Sequence, residues 1–194
     1  VMRPALLSLF LVALLAGCSS PRASFYRLSA DPSLAATAAR TNSRQVIVGP
    51  VTVPDLVDRP QIVTRNTNNE VALNEYARWG EPLNSSIASA IAGDLTLLLA
   101  SDRVAPATRA IADPQAWRVR VDIQQFESVP GDAVAIDARW SVRRFADDNA
   151  LSGRSLVREP VNGGGWDALV AAHSRALGSV SRDIADAIAR GASP

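Results

Sequence analysis

Cysteine occurs once in the 194 residues, histidine once, and lysine not at all. Each shortage removes a class of function. A single cysteine closes no disulfide within the chain and builds no cysteine metal site, and one histidine, His173, cannot complete a zinc set. Without lysine there is no Gly-Lys-Ser/Thr phosphate loop. The run Gly163-Gly164-Gly165 therefore reads as a flexible connection, and Asp167 just beyond it disfavours an anion there. No Gly-x-Ser-x-Gly elbow presents a serine nucleophile. An excess of one charge is missing too. The 20 basic residues, all arginine, face 19 acidic ones, so the chain lacks the basic surplus of a nucleic-acid binder. No apolar run reaches the roughly 20 residues that a membrane-spanning helix needs.

The one conspicuous apolar run is Ala5 to Leu15, interrupted only by Ser8 and preceded by Arg3. It is a signal-peptide core by length and by its positive start. It ends in Leu15-Ala16-Gly17-Cys18, which resembles the bacterial lipobox. That resemblance implies cleavage before Cys18, with diacylglycerol and further acyl chains held covalently on Cys18 and no other cofactor. Two or three acyl chains suffice for stable anchoring, since each buried CH₂ contributes about 0.8 kcal/mol. Ser19 stands where enterobacterial lipoproteins retained at the inner membrane carry aspartate, which implies the periplasmic face of the outer membrane. The expected organisation is a signal peptide at 1–17, a lipidated tether at 18–24 and one domain at 25–194.

Within that domain the patterning is mixed. Short β-branched runs at Phe25 to Leu28, Gln45 to Val53, Gln61 to Arg65 and Glu70 to Asn74 read as strands, the last two as a hairpin across the polar cluster Asn66 to Asn69. A short strand is expected around Arg103 to Ala107. Trp117, Val119, Val121 and Ile123 alternate with Arg118, Arg120, Asp122 and Gln124, and Val134 to Arg143 repeats that alternation after Pro130-Gly131-Asp132. A third strand, Ser155 to Val161, is expected beside this hairpin. Two stripes at helical spacing complete the set: Leu83, Ile87, Ile91, Leu95 and Leu98 after Pro82, and Trp166, Val170, His173, Leu177, Val180, Ile184 and Ile188. The sum is a single α/β domain, with α+β as the variant: two main helices on a mixed, largely antiparallel sheet of five to six strands.

Three features remain as candidate sites. His173 lies on an apolar stripe, where it is either a packed core residue or a general base. Arg118, Arg120, Arg139 and Arg143 share the wet face of the paired strands with Asp122 and Asp137. They form either a solvated charge ladder or a face for a partner or lipid headgroups. Trp79 is expected in a loop, in Arg78-Trp79-Gly80-Glu81-Pro82-Leu83, where a tryptophan anchors its loop or serves as an interface hot spot. None of these amounts to a catalytic or metal site, so no enzyme is expected.

Taken in order, the lipobox, "FYRL" at Phe25 to Leu28, "VGPVTVPDLVDRPQIVTR" at Val48 to Arg65, "RWGEPL" at Arg78 to Leu83, "VRVDIQQFE" at Val119 to Glu127 and the "AIDARWSV" strand resemble the ABC-type transport auxiliary lipoproteins, the family of paraquat-inducible protein C. The resemblance implies an outer-membrane partner of a system built on a mammalian-cell-entry (MCE) protein, with an ABC permease and ATPase at the inner membrane, moving phospholipid between membranes. It implies three layers, with helices on both sides of the sheet. It also makes Asp58, Arg59 and Trp79 candidates for partner binding, and it is compatible with a homo-oligomer and with direct phospholipid contact. It carries over no catalytic residue. The residues alone leave two other readings: an assembly lipoprotein of another envelope complex, and a lipid-anchored periplasmic hydrolase.

Overall fold

The two longest alternating runs pair with each other, because each has one face that must leave water and a turn that reverses the chain between them. In the computed structural model, which describes residues 22–34, 44–109, 114–146 and 150–191, they are β6 (Trp117–Val129) and β7 (Ala133–Arg144), joined through Gly131 at φ +76°. The leader, the lipobox and Cys18 lie outside the described residues. The remaining strands are β1 (Ser24–Tyr26), β2 (Val46–Thr52), β3 (Gln61–Arg65), β4 (Val71–Trp79), β5 (Val104–Pro106) and β8 (Leu151–Pro160); the helices are α1 (Leu83–Leu98) and α2 (Gly165–Gly191).

The strands build two mixed sheets, in the orders β5-β2-β6-β7-β8 and β1-β4-β3. Parallel pairing joins β2 to β5 and β6, and β1 to β4; the other neighbours are antiparallel. The single α/β domain and its two helices form as the patterning requires. Among the described residues the expected sheet is the five-stranded one that carries both helices, and β4, paired with β3 on one side and β1 on the other, builds a second sheet beside it. This second sheet meets the larger one at the far half of β6, where Arg65 Nε lies 2.6 Å from Glu127 Oε1.

The three-layer arrangement does not form. α1 packs on β2, β5 and α2, while α2 packs on β7 and β8, so both helices cover one face of the five-stranded sheet. That face carries Val119, Val121 and Ile123 with Ala138, Trp140 and Val142, all buried. The opposite face carries the arginines, and a second helix laid over it would have to desolvate them. The helix stripes meet the covered face: Leu83, Ile87, Ile91 and Leu95 on α1 are buried, as are Val170, Leu177, Val180, Ile184 and Ile188 on α2. Each such side chain contributes about 1.5–3 kcal/mol.

The segment after β1 crosses from sheet to helices. Leu28 N–H donates to Ser86 Oγ (3.2 Å), Ser29 N–H to Ser174 Oγ (3.2 Å) and Asp31 N–H to Asp94 Oδ1 (2.7 Å). Polar side chains in two helices thus satisfy backbone donors of Leu28, Ser29 and Asp31 that lack a strand partner.

Candidate functional site

Two stretches separated in sequence wall one groove. Asp58, Arg59 and Pro60 come from the turn before β3; Trp79 to Leu83 run from the end of β4 into the start of α1. The groove encloses about 370 Å³. Its walls are tied directly, since Trp79 N–H donates to Pro60 O at 2.7 Å and Gly80 N–H donates to Tyr26 O at 2.8 Å. The turn holds its shape through Val57 N–H and Asp58 N–H, both donating to Pro54 O, with Val57 buried beneath it. Pro82 is the residue before the first helical turn, and its carbonyl accepts from Ser85 and Ser86 N–H.

Trp79 is not in a loop. It is the last residue of β4 and is buried. Its ring meets Phe126 edge-on, with centroids 6.3 Å apart, and Phe126 in turn stacks on His173 at 4.0 Å. The indole thus closes the inner end of the groove and leaves Pro60, Pro82 and Leu83 as its apolar lining, with Asp58, Arg59 and Glu81 bringing charge to it. Arg59 Nε is buried without a hydrogen-bond partner. An apolar lining among such charged groups suits a protein side chain seated from outside.

His173 belongs to the core. Its Nε2 lies 2.8 Å from Ser128 Oγ, the spacing of a nucleophile and its base. Both residues are closed off, however, with His173 at 0% and Ser128 at 2% exposure. Nδ1 has no hydrogen-bond partner, so no carboxylate orients the ring, and burial pushes the imidazole down to about 3. The ring is neutral and unreachable by substrate, which removes the best candidate for a hydrolase. Among the described residues no group of three His, Cys, Asp or Glu side chains is placed to hold a metal ion.

Phe126 and Ser128 face α2 only because β6 carries a bulge. The register with β7 slips between Ile123 and Gln125, leaving Gln124 unpaired, and the residues beyond return to the covered side on even numbers. No composition signal marks that slip. A second feature beyond the reach of patterning is the buried carboxyl of Asp94, held by Asp31 N–H and by Ser181 Oγ at 2.9 Å. Burial raises it to about 6, against those hydrogen bonds, which favour the charged form.

The four strand arginines stand apart from the groove, on the uncovered face of the larger sheet. Arg118 lies directly opposite Arg143, and Asp122 opposite Arg139. The expected ladder of cross-strand ion pairs does not close on them. Asp137 accepts a bidentate bridge from Arg154 (2.9 and 2.7 Å), which holds its carboxyl below the usual range. Asp122 accepts from Thr52 Oγ1 and Gln124 Nε2. Among the described residues, none is within ion-pair distance of Arg118, Arg120, Arg139 or Arg143; Arg118 instead lies over the Phe145 ring at 4.3 Å.

The family model of the ABC-type transport auxiliary lipoprotein component matches residues 26–185. No curated protein matches the chain. Among solved structures, the crystal structure of an uncharacterized protein is similar at a TM-score of 0.69 and 17% identity, over 86% of this chain and 99% of that one. A Xanthomonas campestris protein of the family DUF330 is similar at a TM-score of 0.57 and 20% identity, over 86% of this chain and 92% of its own. These two show the fold.

Proposed function

The chain belongs to the ABC-type transport auxiliary lipoprotein family, and from that premise we propose that it is a non-enzymatic docking component of an MCE-type lipid transport system, anchored through acyl chains on Cys18 to the periplasmic face of the outer membrane. In this role it receives the periplasmic MCE protein, whose ABC permease and ATPase lie at the inner membrane, and so supports phospholipid traffic and envelope integrity. One observation carries the reading: Asp58-Arg59-Pro60 and Trp79 to Leu83 converge on a single groove of about 370 Å³. The groove has the size and lining to seat an anchor side chain of a partner. Tethering raises the effective concentration of the domain at the membrane, so a modest interface is enough. Among the described residues no helix is long and apolar enough to cross a membrane, in keeping with attachment by lipid.

Two measurements test this. Cys18→Ser should leave the melting curve unchanged and release the protein from membranes; retention after a salt wash would count against the anchor. Capture of the lipidated protein from cells, with partners identified by mass, should return an MCE-domain protein. Asp58→Ala with Glu81→Ala should lose that partner without loss of fold. Recovery of a different envelope complex would favour the assembly reading. Equal capture by the double variant would remove the groove from the interface.

A further inference from the structure

The face of the five-stranded sheet turned away from the helices carries one closed ion pair, Asp137 with Arg154, and four arginines that, among the described residues, have no carboxylate within ion-pair distance. These four sit on neighbouring strands: Arg118 and Arg120 on β6, Arg139 and Arg143 on β7. The register sets Arg118 against Arg143, a like-charged cross-strand pair that disfavours folding, while Arg154, opposite Arg139, is bridged by Asp137. Of the carboxylates on this face, Asp137 is taken by Arg154, and Asp122 accepts from Thr52 and Gln124. Arg120 and Arg139 are exposed. Leu156 projects from β8 on the same face, opposite Asp137 in register, at 68% exposure.

We propose that this face rests on the anionic headgroups of the bilayer that holds the chain. A peptide is recognised along a groove or a free strand edge. β6 and β7 have both edges paired, so neither can accept another strand. What they offer is an open pleated surface with four dispersed cations and one protruding leucine, matched to an array of lipid phosphates with an apolar layer beneath. The proposal rests on the lipid-anchor reading in one respect. With acyl chains on Cys18, six residues before Ser24, the domain is held within about 20 Å of the bilayer, so the face can settle to within a Debye length of the headgroups, where their charge orients it.

The test needs no anchor, so its failure is separate from that of the anchor reading. The full chain carrying Cys18→Ser is sedimented with vesicles of phosphatidylcholine alone or of phosphatidylcholine doped with phosphatidylglycerol. Binding should be stronger to the doped vesicles and should weaken as salt rises. Arg120→Gln with Arg139→Gln should lower that added binding by about fivefold for each arginine removed. A control removing two charges elsewhere, Arg109→Gln with Arg190→Gln, should leave it nearly intact. No preference for the anionic vesicles, or equal loss in the control, overturns the proposal. So does arginine-dependent binding to polyglutamate without binding to vesicles, which would assign the face to an acidic protein.

Discussion

The two faces of the five-stranded sheet are made by the same strands and obey opposite rules. On β7, Trp140 faces the helices and is buried, while Arg139, its immediate neighbour, faces outward and is exposed. Under the helices, burial works against charge: it keeps His173 neutral and raises the carboxyl of Asp94 to about 6. On the open face charge persists, and even like charges stand side by side. Burial against two helices dictates the first state, and water allows the second. The difference locates stability on one side of the sheet and leaves the other free to meet a charged surface.

The largest expected effect sharpens this contrast within two adjacent residues. Trp140→Ala removes a buried ring whose Nε1 donates to Ser155 Oγ at 3.0 Å, and should cost about 3–5 kcal/mol. Arg139→Ala should stay within about 0.5 kcal/mol. Urea unfolding of both variants measures the gap, and comparable losses would break the comparison.

Next comes the pH response of the covered side. The folded carboxyl of Asp94 is raised from 3.8 to about 6, so its contribution to stability grows as pH falls through 6 and is lost as pH rises. The folded imidazole of His173 is lowered from 6.5 to about 3, so its contribution is complete above 6.5 and is lost as pH falls. Between about pH 4 and 6 the two slopes oppose each other, each at about 1.4 kcal/mol per pH unit. The wild-type chain should be nearly flat there with respect to this pair. Asp94→Asn should lose stability on acidification and His173→Gln should gain it, relative to wild type. Parallel unfolding curves for all three across this window would show that the core does not hold these groups as described.

A smaller effect concerns close packing. A Cβ added at Gly153 of β8 would lie 2.3 Å from Cζ2 of Trp140, so Gly153→Ala forces the ring or the strand to move. The expected loss is about 1–3 kcal/mol, read as a lower melting temperature. The smallest effect returns to the open face. Arg143→Thr relieves the pairing with Arg118 and should stabilise by a few tenths of a kcal/mol at low salt, roughly the size of one cross-strand pair, fading as salt rises. A clear loss instead would mean that Arg143 is held by the fold rather than left free.

Much of the groove was legible as two sequence blocks, but not as one place. Asp58 to Pro60 and Trp79 to Leu83 each stand out in the chain, yet only the β3–β4 pairing and the bond from Trp79 N–H to Pro60 O bring them together. Trp79 looks like a loop residue because Gly80 and Pro82 follow it; its place at the strand end depends on parallel pairing with Tyr26, more than fifty residues earlier. The stack of Phe126 on His173 depends on one unpaired residue, Gln124, in a strand whose alternation otherwise predicts a different face.

By itself the sequence determined the periodicities, and through them the two amphipathic helices, the β6–β7 hairpin and the separation of arginine from valine on its two faces, because these depend on neighbours a few residues apart. Tertiary structure alone decided which strands pair across long loops, that both helices take the same face, and that His173 and Asp94 are sealed from water. Those outcomes follow from competition between whole surfaces for burial, and no local window of residues contains that competition.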